Sequence, residues 1–180
     1  ISAYALTVEP GTPLSDQHDR HPDDDDQADK YVIADEMLSA AGLSNYEVSN
    51  WARPGHECQH NLLYWQQGNY RGFGCAAHSH ENGRRWWNVR TPDRYIAFVR
   101  EGAAVEAASE ELDAETRAFE RLELQLRLRE GVPRTALNGD VLDGLVELVN
   151  DRWVLTRHGR LMANDISTRL IISPTVAQDG

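Results

Sequence analysis

Residues 34–49, Ala34-Asp35-Glu36-Met37-Leu38-Ser39-Ala40-Ala41-Gly42-Leu43-Ser44-Asn45-Tyr46-Glu47-Val48-Ser49, carry the transition on which the fold reading turns. A helical pattern through Tyr31, Ala34, Met37, Leu38 and Ala41 closes at Gly42, a residue suited to the left-handed conformation at a helix C-terminus. The β-prone run Tyr46-Glu47-Val48-Ser49 comes within a few residues. Upstream, the four aspartates at 23–26 open the helix, where carboxylates interact favourably with its positive end. A hard-cation loop would space its carboxylates and add a bidentate Glu. Further upstream, residues 1–8 form another β-rich run, succeeded by the turn Glu9-Pro10-Gly11-Thr12-Pro13 and a polar loop over 14–22. Strand, helix, strand predicts a parallel unit with helices packed on its faces, an α/β fold. Ligands in such folds meet the C-terminal ends of strands, which makes Glu9, Ser49 and Asn50 candidate contacts. Because the chain opens inside a predicted strand and without Met, it is expected to be part of a longer one.

Downstream, residues 50–83 are irregular, aromatic and glycine-rich, and Arg84-Arg85-Trp86-Trp87-Asn88 reads as a short strand. Thr91 as N-cap and Pro92 at the first helical position predict a helix running to Gly102. The small and acidic residues 103–110 are expected to be a connector, and two domains are expected, over 1–111 and 112–180. In the second, an amphipathic helix is predicted from Leu112-Asp113 to near Gly131, and another through Val141, Leu142, Leu145, Val146 and Val149. A strand over 153–155 and a final helix capped by Thr156 complete a winged-helix-like order.

Composition sets limits on function. A chain of 180 residues with 41% hydrophobic content can bury a real core. No apolar run approaches the length of a membrane helix, so membrane insertion is not expected. A net charge of −11 repels phosphate backbones, and residues 112–180 hold nine Arg against eleven Asp plus Glu; no nucleic acid partner is expected. Two cysteines make no disulfide framework and fit a reducing, cytoplasmic setting.

Chemistry concentrates between His56 and His80, where His56, Cys58, His60, Cys75, His78 and His80 flank His60-Asn61-Leu62-Leu63-Tyr64-Trp65. Three readings compete. A zinc-stabilised interaction module has ligands in excess, but their alternating spacing would point neighbours to opposite faces of an extended segment. A porphyrin surface would use an imidazole as iron ligand and Tyr64 and Trp65 as flat walls, with Asn61 holding His60 or a propionate. In the third reading the aromatics fill a core and the histidines brace loops. Spacing alone favours the third.

Longer motifs shift that balance. Tyr46-Glu47-Val48-Ser49-Asn50-Trp51-Ala52-Arg53-Pro54-Gly55, His60-Asn61-x-x-Tyr64-Trp65, Tyr70-x-Gly72-Phe73-Gly74 and Ala77-His78-Ser79 resemble the C-terminal half of the HemW family. These are radical S-adenosylmethionine (SAM) proteins similar to oxygen-independent coproporphyrinogen III oxidase. The opening 14 residues resemble the family's late barrel strand, and Leu155-Thr156-x-x-Gly159-Arg160 its HemN-type C-terminal domain. The resemblance implies a partial TIM-type radical SAM barrel followed by a small helical winged-helix-like domain. It also implies a haem chaperone that delivers haem to acceptor proteins, with His60, Asn61, Tyr64 and Trp65 as haem-binding residues and His78 as a further ligand contact. The alternative it leaves is the oxidase of porphyrin biosynthesis. A [4Fe-4S] cluster and SAM would belong to the full-length parent, because the cluster motif C-x-x-x-C-x-x-C is nowhere in this chain. The chain departs from the family where Cys75-Ala76 replace the usual Pro-Gly, which alters a turn that relies on glycine.

Overall fold

The computed structural model describes residues 1–172 of the 180. Helix α1 (Asp24–Ala40) begins where the aspartates predict it: Asp23 is the N-cap, its carboxylate accepting from the backbone N–H of Asp25 and Asp26. Just beyond its C-terminus Gly42 takes φ 78°. Its inner face is marked by a charge, Asp35, which is buried.

A hairpin takes the place of the expected parallel β-α-β unit. Strands β1 (Ser44–Glu47) and β2 (Asn50–Ala52) are antiparallel and joined by a tight turn, so the chain doubles back instead of crossing over. The predicted strand over 1–8 contributes one antiparallel bridge, Ser2 with Asn50, flanked by bonds from Trp51 N–H to Ile1 O and from Ala3 N–H to Ser49 O, both 2.9 Å. β2 already supplies the neighbour of β1, and residues 1–3 extend that hairpin; Tyr4 and Leu6 remain exposed. Every strand pair among the described residues is antiparallel.

Helix α2 (Gln59–Trp65) precedes a second sheet, β3 (His78–Glu81), β4 (Arg84–Asn88) and β5 (Glu106–Glu111), in that order. Between β4 and β5 lies α3 (Pro92–Glu101), with Thr91 as N-cap, Pro92 at its start and Gly102 in the left-handed region, as the sequence predicts. The expected connector is thus largely the strand β5. Its register sets Glu111 opposite Arg84 and Glu110 opposite Arg85, and cross-strand charge pairing stands in for the missing apolar signal.

Helix α4 (Ala114–Leu126), capped by Asp113, then leads to β6 (Val132–Pro133), β7 (Val146–Val149) and β8 (Arg152–Leu155), ordered β6-β8-β7. The predicted helix over 141–149 is replaced by a short 3-10 turn at Gly139–Val141 and by β7. Gly144 at φ 75° breaks the helical pattern, and Asn150 and Asp151, at φ 49° and 61°, form the left-handed pair that a two-residue hairpin requires. Thr156 caps α5 (Arg157–Leu161) through the Gly159 N–H, and a turn at Met162 divides the expected single helix into α5 and α6 (Ala163–Ser167). One apolar core, including Leu122, Leu126, Val132, Trp153 and Ile166, fills the space between α4, the third sheet and α6.

Side chains tie this core to the first half of the chain. Asp35 accepts from Trp51 Nε1 (2.7 Å), Arg157 Nε (2.7 Å) and Arg160 Nη2 (3.1 Å). Burial raises the Asp35 pKa, but the indole N–H and the two guanidiniums outweigh it and hold the group below its ordinary value. Arg85 on β4 pairs with Glu120 on α4 at 2.9 Å.

Candidate functional site

Helix α2 is short and has no side-chain cap at Cys58. Four residues apart on one face, His60 and Tyr64 meet: the Tyr64 hydroxyl lies 2.8 Å from His60 Nε2, with the rings edge to face at 4.8 Å. From Tyr64 the aromatic contacts continue to Tyr70 at 4.4 Å and from Tyr70 to His80 at 6.1 Å. His60 is exposed, so its ring can be reached from solvent.

His80 is a different kind of histidine. It is buried, with Nδ1 against Gly68 O at 3.0 Å and Nε2 receiving the Gly83 N–H at 3.1 Å. Since a carbonyl only accepts and a backbone N–H only donates, the ring is neutral with its proton on Nδ1. Both nitrogens are used, and His80 braces a loop. His78 is exposed and stacks on Trp87 at 5.6 Å. Cys58 is exposed and Cys75 half-buried, both as free thiols. Among the described residues no three His, Cys, Asp or Glu side chains gather into a metal site, so the zinc reading gains no geometric support.

A second group forms under α2. Glu47 is almost fully buried and accepts from the side-chain amides of Asn50 and Asn61 and from the Ser49 backbone. Asn50 in turn accepts from the Ser2 hydroxyl, and Asn61 Nδ2 lies 3.5 Å from the Tyr46 hydroxyl. Burial pushes the Glu47 carboxyl above its usual range, and the hydrogen bonds from Asn50, Ser49 and Asn61 only partly offset this. Ser49, Asn50 and Asn61 therefore converge, whereas Glu9 lies apart in an exposed turn whose carbonyl accepts from Thr12. Glu47 is a member of this group that residue spacing does not reveal; the available signal was a carboxylate inside a β-prone run.

Between α2 and α4 lies a cleft of about 450 Å³, walled by Tyr64, Trp65, Gln67, Tyr70 and Arg127 among others. That size is in the range of small-molecule sites. Trp65 Nε1 and both amide atoms of Gln67 are buried there without a hydrogen-bond partner, a cost of about 1–3 kcal/mol for each group left unpaired.

The loop over 71–77 shapes the neighbouring surface. A Cβ on Gly72 would lie 2.1 Å from His78 O, so only glycine fits. Ala76 sits at φ 58° and thus keeps the left-handed turn without the glycine that favours it. Asn88 Nδ2 to Gly74 O (2.8 Å) and Ala76 N–H to Val89 O (2.9 Å) hold the loop in place. Among the described residues no helix is long and apolar enough to cross a membrane.

An α/β chain of small antiparallel sheets with a half-open aromatic cleft is the class that this geometry defines. Its fold matches part of coproporphyrinogen III oxidase (HemN) from Escherichia coli, described as a radical SAM enzyme, with a TM-score of 0.62 over 82% of this chain and 41% of that one. At 16% identity this likeness concerns the fold alone. No family model matches. The chain is 42% identical over 183 residues to the heme chaperone HemW of Mycobacterium tuberculosis H37Rv, a match covering 95% of this chain and 47% of that protein. It is 34% identical to HemW of Escherichia coli K12, over 92% of this chain and 48% of that protein, and 32% identical to HemW of Bacillus subtilis 168, over 92% and 49%. The chain spans about half the length of these relatives. Over nearly its whole length the chain is thus similar to about half of HemW.

Proposed function

We propose that the protein of which this chain is the C-terminal half binds haem and hands it to acceptor proteins, with His60, Asn61, Tyr64 and Trp65 as the haem-binding residues. One observation carries the reading: a solvent-accessible histidine with one ring nitrogen held by Tyr64 at 2.8 Å, in a chain 42% identical to a heme chaperone. An imidazole oriented through one nitrogen presents the other as a ligand, the arrangement in which histidine binds iron with its tautomer fixed. Asn61, tied to Glu47 and Tyr46, anchors the helix that carries His60, and Tyr64 and Trp65 offer flat faces to the macrocycle.

The same reading divides the chain into a closing part of a radical SAM barrel over 1–111 and a winged-helix-like domain over 112–180. The fold likeness to HemN, and a three-stranded antiparallel sheet packed with α4 and α6, support it. Ser49, Asn50, His78 and Glu9 would add contacts at the barrel mouth. The cluster and SAM would be held by the rest of the parent, since two cysteines, one exposed and one half-buried and 17 positions apart in sequence, do not fit three-cysteine ligation. We place the parent in the cytoplasm, without a nucleic-acid partner.

The test is a haem titration of the full-length protein followed by Soret absorbance, beside His60→Ala with its fold checked by circular dichroism. Saturable binding should weaken in the variant by at least about tenfold, a loss seen even when an outer partner of a metal ligand is removed. Equal binding by both proteins removes His60 from the site, and no binding by the folded parent overturns haem carriage.

A further inference from the structure

Helix α2 ends in an unusual way. Gln67 N–H bonds to Tyr64 O at 3.0 Å and Gly68 N–H to Leu63 O at 2.8 Å, the two closing bonds of a Schellman motif. That motif wants glycine at its left-handed position, which here is Gln67, at φ 57°, while the glycine comes one residue later. A side chain retained at a strained backbone position, with its polar atoms buried and unpaired, points to a ligand that pairs them.

We propose that the cleft between α2 and α4 receives the propionate edge of the haem, with the Gln67 carboxamide and Trp65 Nε1–H donating to a propionate carboxylate and Arg127 facing it across the cleft. The proposal rests on the haem reading given above and extends it from the iron to the carboxylates. Gln67 lies seven residues beyond His60, about 10 Å along the helix axis at the usual rise, a separation that a porphyrin and its propionate arm can span. Both Gln67 amide atoms are unpartnered, so its NH2 can turn to the ligand without breaking a bond. Of the acidic side chains of the cleft, Glu120 is paired with Arg85 at 2.9 Å, while Arg127 donates to the Glu123 backbone carbonyl and, through Nη2, to Asn164 Oδ1 at 2.9 Å, which fixes its guanidinium at the cleft wall.

The full-length protein is titrated with haem and with haem dimethyl ester, whose propionates carry no charge, in wild type, Gln67→Gly and His60→Ala. Wild type should prefer free haem by about tenfold or more, the scale of hydrogen bonds to a charged group. Gln67→Gly should lose most of that preference while keeping its affinity for the ester, and its backbone is relieved, so folding is not at risk. His60→Ala should weaken both ligands alike. Equal affinity of wild type for the two ligands overturns the proposal and leaves His60 ligation standing, as does a preference that Gln67→Gly retains. If wild type binds neither ligand, the haem reading falls and the propionate site with it.

Discussion

The two halves of the chain bury different things. Beyond residue 112 the interior is apolar, with twelve buried side chains in one cluster and Ser167 the only buried polar residue outside it among the described residues. Before residue 112 the buried set includes Asp35, Glu47, Asn50, Ser79, His80 and Asn88, each held by hydrogen bonds. An apolar core stabilises by area and tolerates changes of detail, whereas a polar interior fixes positions and penalises the loss of any one partner. The half with the candidate site is the half whose interior fixes positions.

The hardest blow to that contrast is Leu126→Ala. Leu126 is fully buried in the apolar cluster, and its truncation should cost about 3 kcal/mol in denaturant unfolding. Asp35→Asn should cost about 2 kcal/mol, since it leaves Arg157 and Arg160 without their carboxylate and keeps only an acceptor for Trp51. A loss as large as that of Leu126→Ala would mean that the link between the halves matters as much as the core.

The two buried carboxyls should also separate by pH. The Asp35 pKa is lowered by folding, so its stabilisation is full above the unfolded value and fades as pH falls through the folded one. The Glu47 pKa is raised, so the folded state holds its proton longer and stability declines as pH rises from about 4.5 through the folded value. Glu47→Gln should remove that decline and hold or raise stability at neutral pH, measured by urea unfolding across the range; a strong loss at neutral pH would show that the charged form is the one the fold uses. The smallest effect is expected from Ala76→Gly, a gain of about 1 kcal/mol from relief of a left-handed alanine, read as a rise in melting temperature.

Caps made much of the fold legible. Asp23, Thr91, Gly102 and Asp113 mark four helix boundaries in sequence and in space. The N-terminal half misled where β propensity suggested a strand over 1–8: the pairing ends with the bridge of Ser2 to Asn50 and the bond from Ala3 to Ser49, and residues 4–8 run on past β2 without a strand of their own. Strand β5 was hidden because its six residues are all exposed, and only charge complementarity with Arg84 and Arg85 announces it. Asn150-Asp151 was a turn signal that outweighed the helical spacing around it. In the site, His60, Tyr64 and Trp65 stood out as residue types. Gln67 and Glu47 did not, because their importance lies in burial and missing partners, which sequence spacing does not encode.

Strand β5 ends its sheet, and its sequence Glu106-Ala107-Ala108-Ser109-Glu110-Glu111 is poor in the residues that make strands sticky. This border offers a second copy short polar residues and glutamates already paired with Arg84 and Arg85, with no apolar row to dock on, while at the opposite border Tyr70 already occupies the backbone of His80 through bonds of 2.8 and 3.0 Å. The sheet is thus bordered on one side by a charged, polar strand and closed on the other by its own chain, which discourages runaway strand-by-strand polymerisation.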